Sequence, residues 1–161
     1  MKSALSLFMF TLICRWLPAV GRLESQLTRY NSMASVGNPA TILLVDDDEA
    51  VRRFARRILV QQGFHVIEAC DGAEALAVAS AYARPVDLLL TDVIMPKVNG
   101  LMLARGLLQE RPGIRVLYIS GYVEKLMLLE KHPESVLLQK PFTPETLIAA
   151  VRQAFASEEQ P

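Results

Sequence analysis

From residue 41 onward the chain alternates short apolar runs with longer stretches in which apolar residues recur at helical spacing. Repeated βα units of this kind build a parallel sheet covered by helices. The runs predict five strands, at Thr41–Val45, Phe64–Glu68, Val86–Thr91, Arg115–Ile119 and Val136–Gln139. The third and fourth are nearly continuous in apolar residues, as strands buried on both faces are.

Between the strands, Glu49–Gln62 sets Val51, Phe54, Ala55, Ile58 and Leu59 on one helix face and Arg52, Arg53, Arg56 and Arg57 on the other. Asp48 is placed to cap this helix and Gly63 to end it. Asp71 opens a second helix with Glu74 three residues on, a capping-box spacing, and Leu76 and Ala79 supply its inner face. Pro85 separates it from the third strand. A third helix is predicted over Gly100–Glu110, closed by Arg111-Pro112-Gly113, and a shorter fourth over Glu124–Lys131. Thr143 ahead of Pro144 starts a fifth, docked through Leu147, Val151 and Phe155. The expected organisation is an extension over residues 1–39, one α/β domain over 40–157 and a tail over 158–161.

Composition narrows the function. The 161 residues are 52% hydrophobic, enough for one well-packed core. Lys plus Arg and Asp plus Glu both number 17, so the basic excess of a nucleic-acid binder is missing. The extension carries Lys2, Arg15, Arg22 and Arg29 against Glu24 alone, which leaves the domain mildly acidic. Cys14 and Cys70 lie far apart with no histidine near them, so neither a disulfide framework nor a zinc site is read from them, and a reducing, cytoplasmic setting is expected. Ala4–Cys14 is apolar like a signal-peptide core, yet it is too short to span a bilayer and is followed by Arg15, Trp16 and Pro18 rather than a cleavage pattern. Two readings of this segment stay open: a membrane-surface or regulatory extension, which would be the chain's only membrane contact, and sequence upstream of a start at Met33.

Ligands of an open parallel sheet bind outside the carboxyl ends of its strands. The polar residues gather there: Asp46-Asp47-Asp48-Glu49 after the first strand, Thr91-Asp92 at the third, Ser120-Gly121 at the fourth and Lys140-Pro141 at the fifth. Carboxylates brought that close repel one another, and a hard divalent cation with oxygen ligands relieves the repulsion, magnesium being the natural guest. With the charge neutralised, a carboxylate can attack phosphorus and form an acyl phosphate. Asp92 is the candidate nucleophile, with Asp46 and Asp47 on the metal. The added phosphoryl oxygens need donors, which Ser120 and Lys140 supply, while Gly121 leaves room for the group.

The segments Ile-Leu-Leu-Val-Asp46-Asp47-Asp48-Glu49, Leu-Leu-Leu-Thr-Asp92-Val-Ile-Met-Pro96-Lys-Val-Asn-Gly100, Tyr-Ile-Ser120-Gly121-Tyr122 and Leu-Gln-Lys140-Pro141-Phe142 together resemble the motifs of bacterial response-regulator receiver domains, in the family's order. The resemblance covers residues 41 to about 156. It implies a doubly wound, flavodoxin-like α/β fold whose five-stranded parallel sheet has the order 2-1-3-4-5, a topology for which a receiver protein is a standard example. It further implies that Asp92 is the phosphoacceptor and that magnesium is held by Asp46, Asp47, Asp92 and the main-chain carbonyl of Ile94. Ser120 would be the switch hydroxyl, Lys140 would bridge to the phosphoryl group, and the peptide before Pro141 would be cis. The implied donor is a phosphohistidine on a sensor histidine kinase or phosphotransfer protein. One position departs from the family: Leu137 stands three residues before Lys140, where an aromatic switch ring is common.

Single features have plainer explanations. Asp48 reads as a cap, His65 and His132 as structural, and the arginines as a solvated face that could also receive an acidic partner. The co-occurrence of Asp46, Asp47, Asp92, Ser120 and Lys140 in register is what caps and turns do not explain. A flavin or nucleotide domain would place a phosphate loop where this chain has carboxylates. An Asp-dependent phosphohydrolase would want a second Asp two residues after the nucleophile, where Ile94 stands. An interaction module that had lost phosphorylation would lack one of the site elements. The expected output is protein–protein contact without direct nucleic-acid binding, from a single-domain receiver or the receiver part of a hybrid kinase. Ile94 and Tyr122 flank the path of an attacking water, which predicts slow loss of the phosphoryl group.

Overall fold

The computed structural model describes residues 39–121 and 136–156. Their elements, in chain order, are β1 (Thr41–Val45), α1 (Glu49–Gln61), β2 (His65–Ala69), α2 (Gly72–Ala81), β3 (Leu88–Asp92), α3 (Gly100–Glu110), β4 (Arg115–Ser120), β5 (Val136–Gln139) and α4 (Pro144–Ala156). All strand pairs are parallel and the sheet order is β2-β1-β3-β4-β5. The predicted helix over Glu124–Lys131, with Tyr122 and His132, lies outside the described residues.

The strands are inside because they carry apolar side chains on both faces. Every residue of β1 is buried, as are Leu88, Leu89 and Leu90 of β3. Leu43, Val45 and Leu89 pack with Ala75 and Ala79 of α2 and Leu103, Ala104 and Leu107 of α3. On the other face α1 and α4 pack together and against the sheet, burying Ala55, Ile58, Leu59, Leu147 and Val151. Phe155 stacks on Phe64 at 5.9 Å.

Helix ends follow local chemistry. Asp48 Oδ1 accepts from the amides of Ala50 and Val51 at 2.8 and 3.3 Å, which caps α1. Gly63 takes φ +87°, the left-handed value that ends a helix at low steric cost. Asp71 caps α2 through the Glu74 amide at 2.8 Å, while the Glu74 carboxylate reaches back to the Cys70 amide at 2.7 Å. That partner lies one residue before the cap, a displaced form of the expected capping box.

The remaining differences from expectation are small and have causes. Strand β2 begins at His65 because the Phe64 amide still donates to the Leu59 carbonyl of α1. Strand β3 begins at Leu88; just before it the Asp87 carboxylate takes the Thr41 amide at 2.7 Å while the Asp87 amide donates to the Thr41 carbonyl at 2.9 Å. Phe54, expected inside, is 43% exposed and packs on Phe142 at 5.9 Å. Arg52, expected on a solvated face, donates from Nη1 to the Asp46 carbonyl at 2.7 Å.

Candidate functional site

The carboxyl ends of β1, β3, β4 and β5 lie side by side. Register pairs Val45 with Thr91, Asp92 with Ile119 and Ser120 with Gln139, so Asp46, Asp92, Ser120 and Lys140 all emerge at one edge of the sheet. One oxygen from each of Asp46, Asp47 and Asp92 lies within 4.8 Å of the others. Asp46 is fully buried, Asp47 exposed and Asp92 between them. Lys140 Nζ bridges two of the three, at 2.8 Å from Asp46 Oδ2 and 2.5 Å from Asp92 Oδ2.

Backbone groups fix these acids. The Asp48 amide donates to Asp46 Oδ1 at 2.9 Å and the Ile94 amide to Asp92 Oδ1 at 3.1 Å. Burial pushes the Asp46 carboxyl above its ordinary value, against the lowering effect of Lys140 and the Asp48 amide. Burial pulls the Lys140 ammonium down, but its hydrogen bonds to Asp46 and Asp92 outweigh this and leave it raised. Among the described residues one ammonium meets three carboxylates, which leaves the cluster short of positive charge, and all three donors are hard oxygens. That composition fits a divalent cation such as magnesium.

Ser120 Oγ is buried with no hydrogen-bond partner among the described residues. A hydroxyl left unsatisfied costs free energy unless a ligand supplies its partner. Its carbonyl accepts from the Lys140 amide at 2.8 Å, which ties the ends of β4 and β5 together. The Lys140–Pro141 peptide is cis. Gly121 is half-buried beside Ser120, and Ile94 is 60% exposed at the rim. Leu137 pairs in register with the buried Tyr118 and packs on the core. His65 stacks on Tyr82 at 6.0 Å, away from the acids, and Cys70 is an exposed free thiol.

A family model for the response regulator receiver domain matches residues 42–152. The chain belongs to that family. Among curated relatives, the receiver domain is 32% identical over 118 residues to the response regulator receiver protein CpdR of Brucella abortus (strain 2308), covering 70% of this chain and 93% of CpdR. It is 34% identical over 122 residues to the sensor kinase CckA of the same strain, covering 74% of this chain but 13% of CckA. A solved response regulator receiver protein from Sinorhizobium medicae WSM419 is 30% identical, with a TM-score of 0.66 over 74% of this chain and 96% of that one. The chemotaxis response regulator CheY4 of Vibrio cholerae gives 28% and 0.62 over 73% and 99%. The receiver fold and a place in two-component signalling follow. No helix among the described residues is long and apolar enough to cross a membrane.

The sequence reading passed over three supports of the site. Arg52 holds the Asp46 carbonyl. Thr91 Oγ1 donates to the Asp92 carbonyl at 3.0 Å. Gly100 lies so close to β3 that a Cβ there would sit 2.0 Å from the Asp92 carbonyl oxygen. Only Gly100 had a sequence signal, a glycine at the start of a helix where close backbone approach is one standing explanation.

Proposed function

We propose that Asp92 accepts a phosphoryl group from a phosphohistidine on a sensor histidine kinase or a phosphotransfer protein, and that the receiver domain then signals by contact with another protein. The observation that carries this reading is the meeting of Asp46, Asp47 and Asp92 within 4.8 Å under the bridging ammonium of Lys140.

Asp46, Asp47 and Asp92, with the main-chain carbonyl of Ile94, would hold magnesium. When bound, the ion supplies charge neutralisation and a coordination position for a phosphoryl oxygen. A carboxylate oxygen of Asp92 attacks phosphorus in line; the P–O bond forms as the P–N bond to the donor imidazole breaks, the bonding pair goes to that nitrogen, and the ring, already protonated on its other nitrogen, leaves as neutral imidazole. Lys140 Nζ then follows one phosphoryl oxygen, and the unpartnered Ser120 Oγ gains an acceptor. Gly121 admits the group without a side chain in the way. Ser120 moving toward the phosphoryl group draws the segment after β4 with it, and with Leu137 in place of a ring the movement needs no aromatic rotamer change.

Ile94, two residues after Asp92, offers no acid or base for turnover, so the chain acts as an acceptor with slow self-dephosphorylation. The receiver unit is taken as residues 40–157, in the cytoplasm with its donor. The match to a segment of the sensor kinase CckA favours a hybrid-kinase setting as the second reading. Acetyl phosphate and magnesium should add the mass of one phosphoryl group to the wild-type chain and none to Asp92→Asn. Equal mass gain in both, or none in either, refutes the assignment.

A further inference from the structure

The segment that follows Asp92 is anchored at both ends. The Val93 amide donates to the Ile119 carbonyl at 3.0 Å and the Gly100 amide to the Val93 carbonyl at 3.1 Å. Between them Ile94, Pro96 and Lys97 are exposed, Met95 is buried in the core and Val98 packs half-buried against it. The middle is bent by a three-residue turn, closed by the Val98 amide donating to the Pro96 carbonyl at 2.8 Å. Its central residue, Lys97, has φ +65°, the only positive φ outside glycine among the described residues. A γ-turn with a positive central φ is rare and strained for a residue with a Cβ. Such strain persists only where the surroundings over-determine it.

Two contacts supply that constraint, both from the start of α2. Lys97 Nζ lies 2.6 Å from Asp71 Oδ2, while Asp71 Oδ1 caps α2. Gly72 faces Val98 so closely that a Cβ would meet the Val98 carbonyl oxygen at 2.6 Å. The Lys97 hydrogen bond, and after it that of the Glu74 amide, holds the Asp71 carboxyl below its ordinary value.

We propose that the Asp71–Lys97 ion pair is a positioning tether that holds the strained turn after Asp92, and through it the backbone of Ile94, so setting how tightly the acidic cluster takes magnesium. The proposal rests on the reading of Asp46, Asp47, Asp92 and the Ile94 carbonyl as the metal's ligands. Lys97 touches none of them; it acts through three residues of chain. An exposed ion pair shifts an equilibrium by at most about five-fold, which bounds the effect.

The test is a magnesium titration of the full chain by calorimetry, with thermal unfolding of each variant beside it. Lys97→Met keeps the strained φ, removes the tether and deletes a positive charge near the cluster. Simple charge effects predict tighter binding of the cation; the tether predicts binding about three- to five-fold weaker. Lys97→Gly removes the tether and the strain together and should stay within about two-fold of wild type. Asp71→Asn keeps the cap of α2, since asparagine caps as well as aspartate, and should weaken binding like Lys97→Met. The double variant should be no weaker than either single one, as expected when both remove one interaction. Lys97→Met binding magnesium as tightly as wild type, or tighter, overturns the tether alone. A wild-type chain that takes no magnesium overturns the ligand assignment and the tether with it.

Discussion

Replacing Lys140 with methionine removes the one ammonium that touches the acidic cluster among the described residues while keeping a side chain of similar length. At 2.8 Å and an effective dielectric of about 20, the Lys140–Asp46 attraction alone is about 6 kcal/mol before desolvation is counted. Most of that is offset, because the lysine side chain is only 26% exposed and removing its ammonium returns a desolvation cost of several kcal/mol. Asp46 then remains fully buried without its partner, a loss that typically costs about 3–5 kcal/mol. With Asp46 free to take up a proton, the expected net destabilisation in metal-free buffer at neutral pH is about 2–4 kcal/mol, or on the order of 10 °C in Tm.

The sign with pH is fixed by the same groups. Asp46 has a folded pKa raised above its unfolded value, so the native state binds more protons in the window above about 4, and stability falls as pH rises through it. Without Lys140, which lowers that pKa, the window extends upward. The deficit of Lys140→Met should therefore shrink as pH is lowered toward 5, and magnesium should restore part of it at pH 7. Urea unfolding followed by circular dichroism, with chelator or with magnesium, reads all three. A variant as stable as wild type in chelator at pH 7 would refute the electrostatic account of the cluster.

Three further outcomes are expected. Gly100→Ala should destabilise the fold by about 1–3 kcal/mol or more in the same unfolding assay, because its Cβ would overlap the Asp92 carbonyl and overpacking typically costs that much; a neutral effect would show that α3 can withdraw from β3. Ile94→Ser should shorten the life of the phosphorylated chain by several-fold, read as decay of the added mass after donor removal, and an unchanged rate rejects a shielding role for Ile94. A chain begun at Met33 should unfold at the same temperature as the full chain and gain the same phosphoryl mass, whereas loss of either would give residues 1–32 a part in the receiver unit.

What the sequence disclosed depended on how far each determinant reached along the chain. Strand positions were legible because burial on both faces writes an unbroken apolar run, as in Leu88-Leu89-Leu90. Asp48, Gly63 and Asp71 were legible because a cap acts on its own next turn. Phe54 misled because helical spacing marks a face and not its depth: the ring sits where α1 meets Phe142, at the edge of what α4 covers. Arg52 misled in the opposite sense, since a long side chain on a polar face can still curl onto the Asp46 carbonyl six residues back. The contact of Lys97 with Asp71 joins segments whose approach is decided only when the sheet and helices dock, so no local pattern announces it, whereas Gly100 carried the weak signal of a glycine at a helix start.

The same distinction explains why the site was easier to read than its supports. A cluster of carboxylates at strand ends is locally unfavourable, and nothing about strand or helix formation calls for it, so chemistry is the shorter explanation. The supports are the reverse: Thr91, Gly100 and Arg52 each make ordinary local sense. Their role emerges only from the cost they offset, which is that of holding Asp46 and Asp92 close together at the ends of two central strands whose interiors are apolar and fully buried. Such a body does not deform easily, because close-packed interiors transmit strain. Repulsion among the acids is therefore met at the sheet edge, by Lys140 when no cation is bound and by a cation when one is. On the proposed reading, moving Lys140 from a carboxylate to a phosphoryl oxygen would then change the carboxyl end of the sheet without disturbing the core.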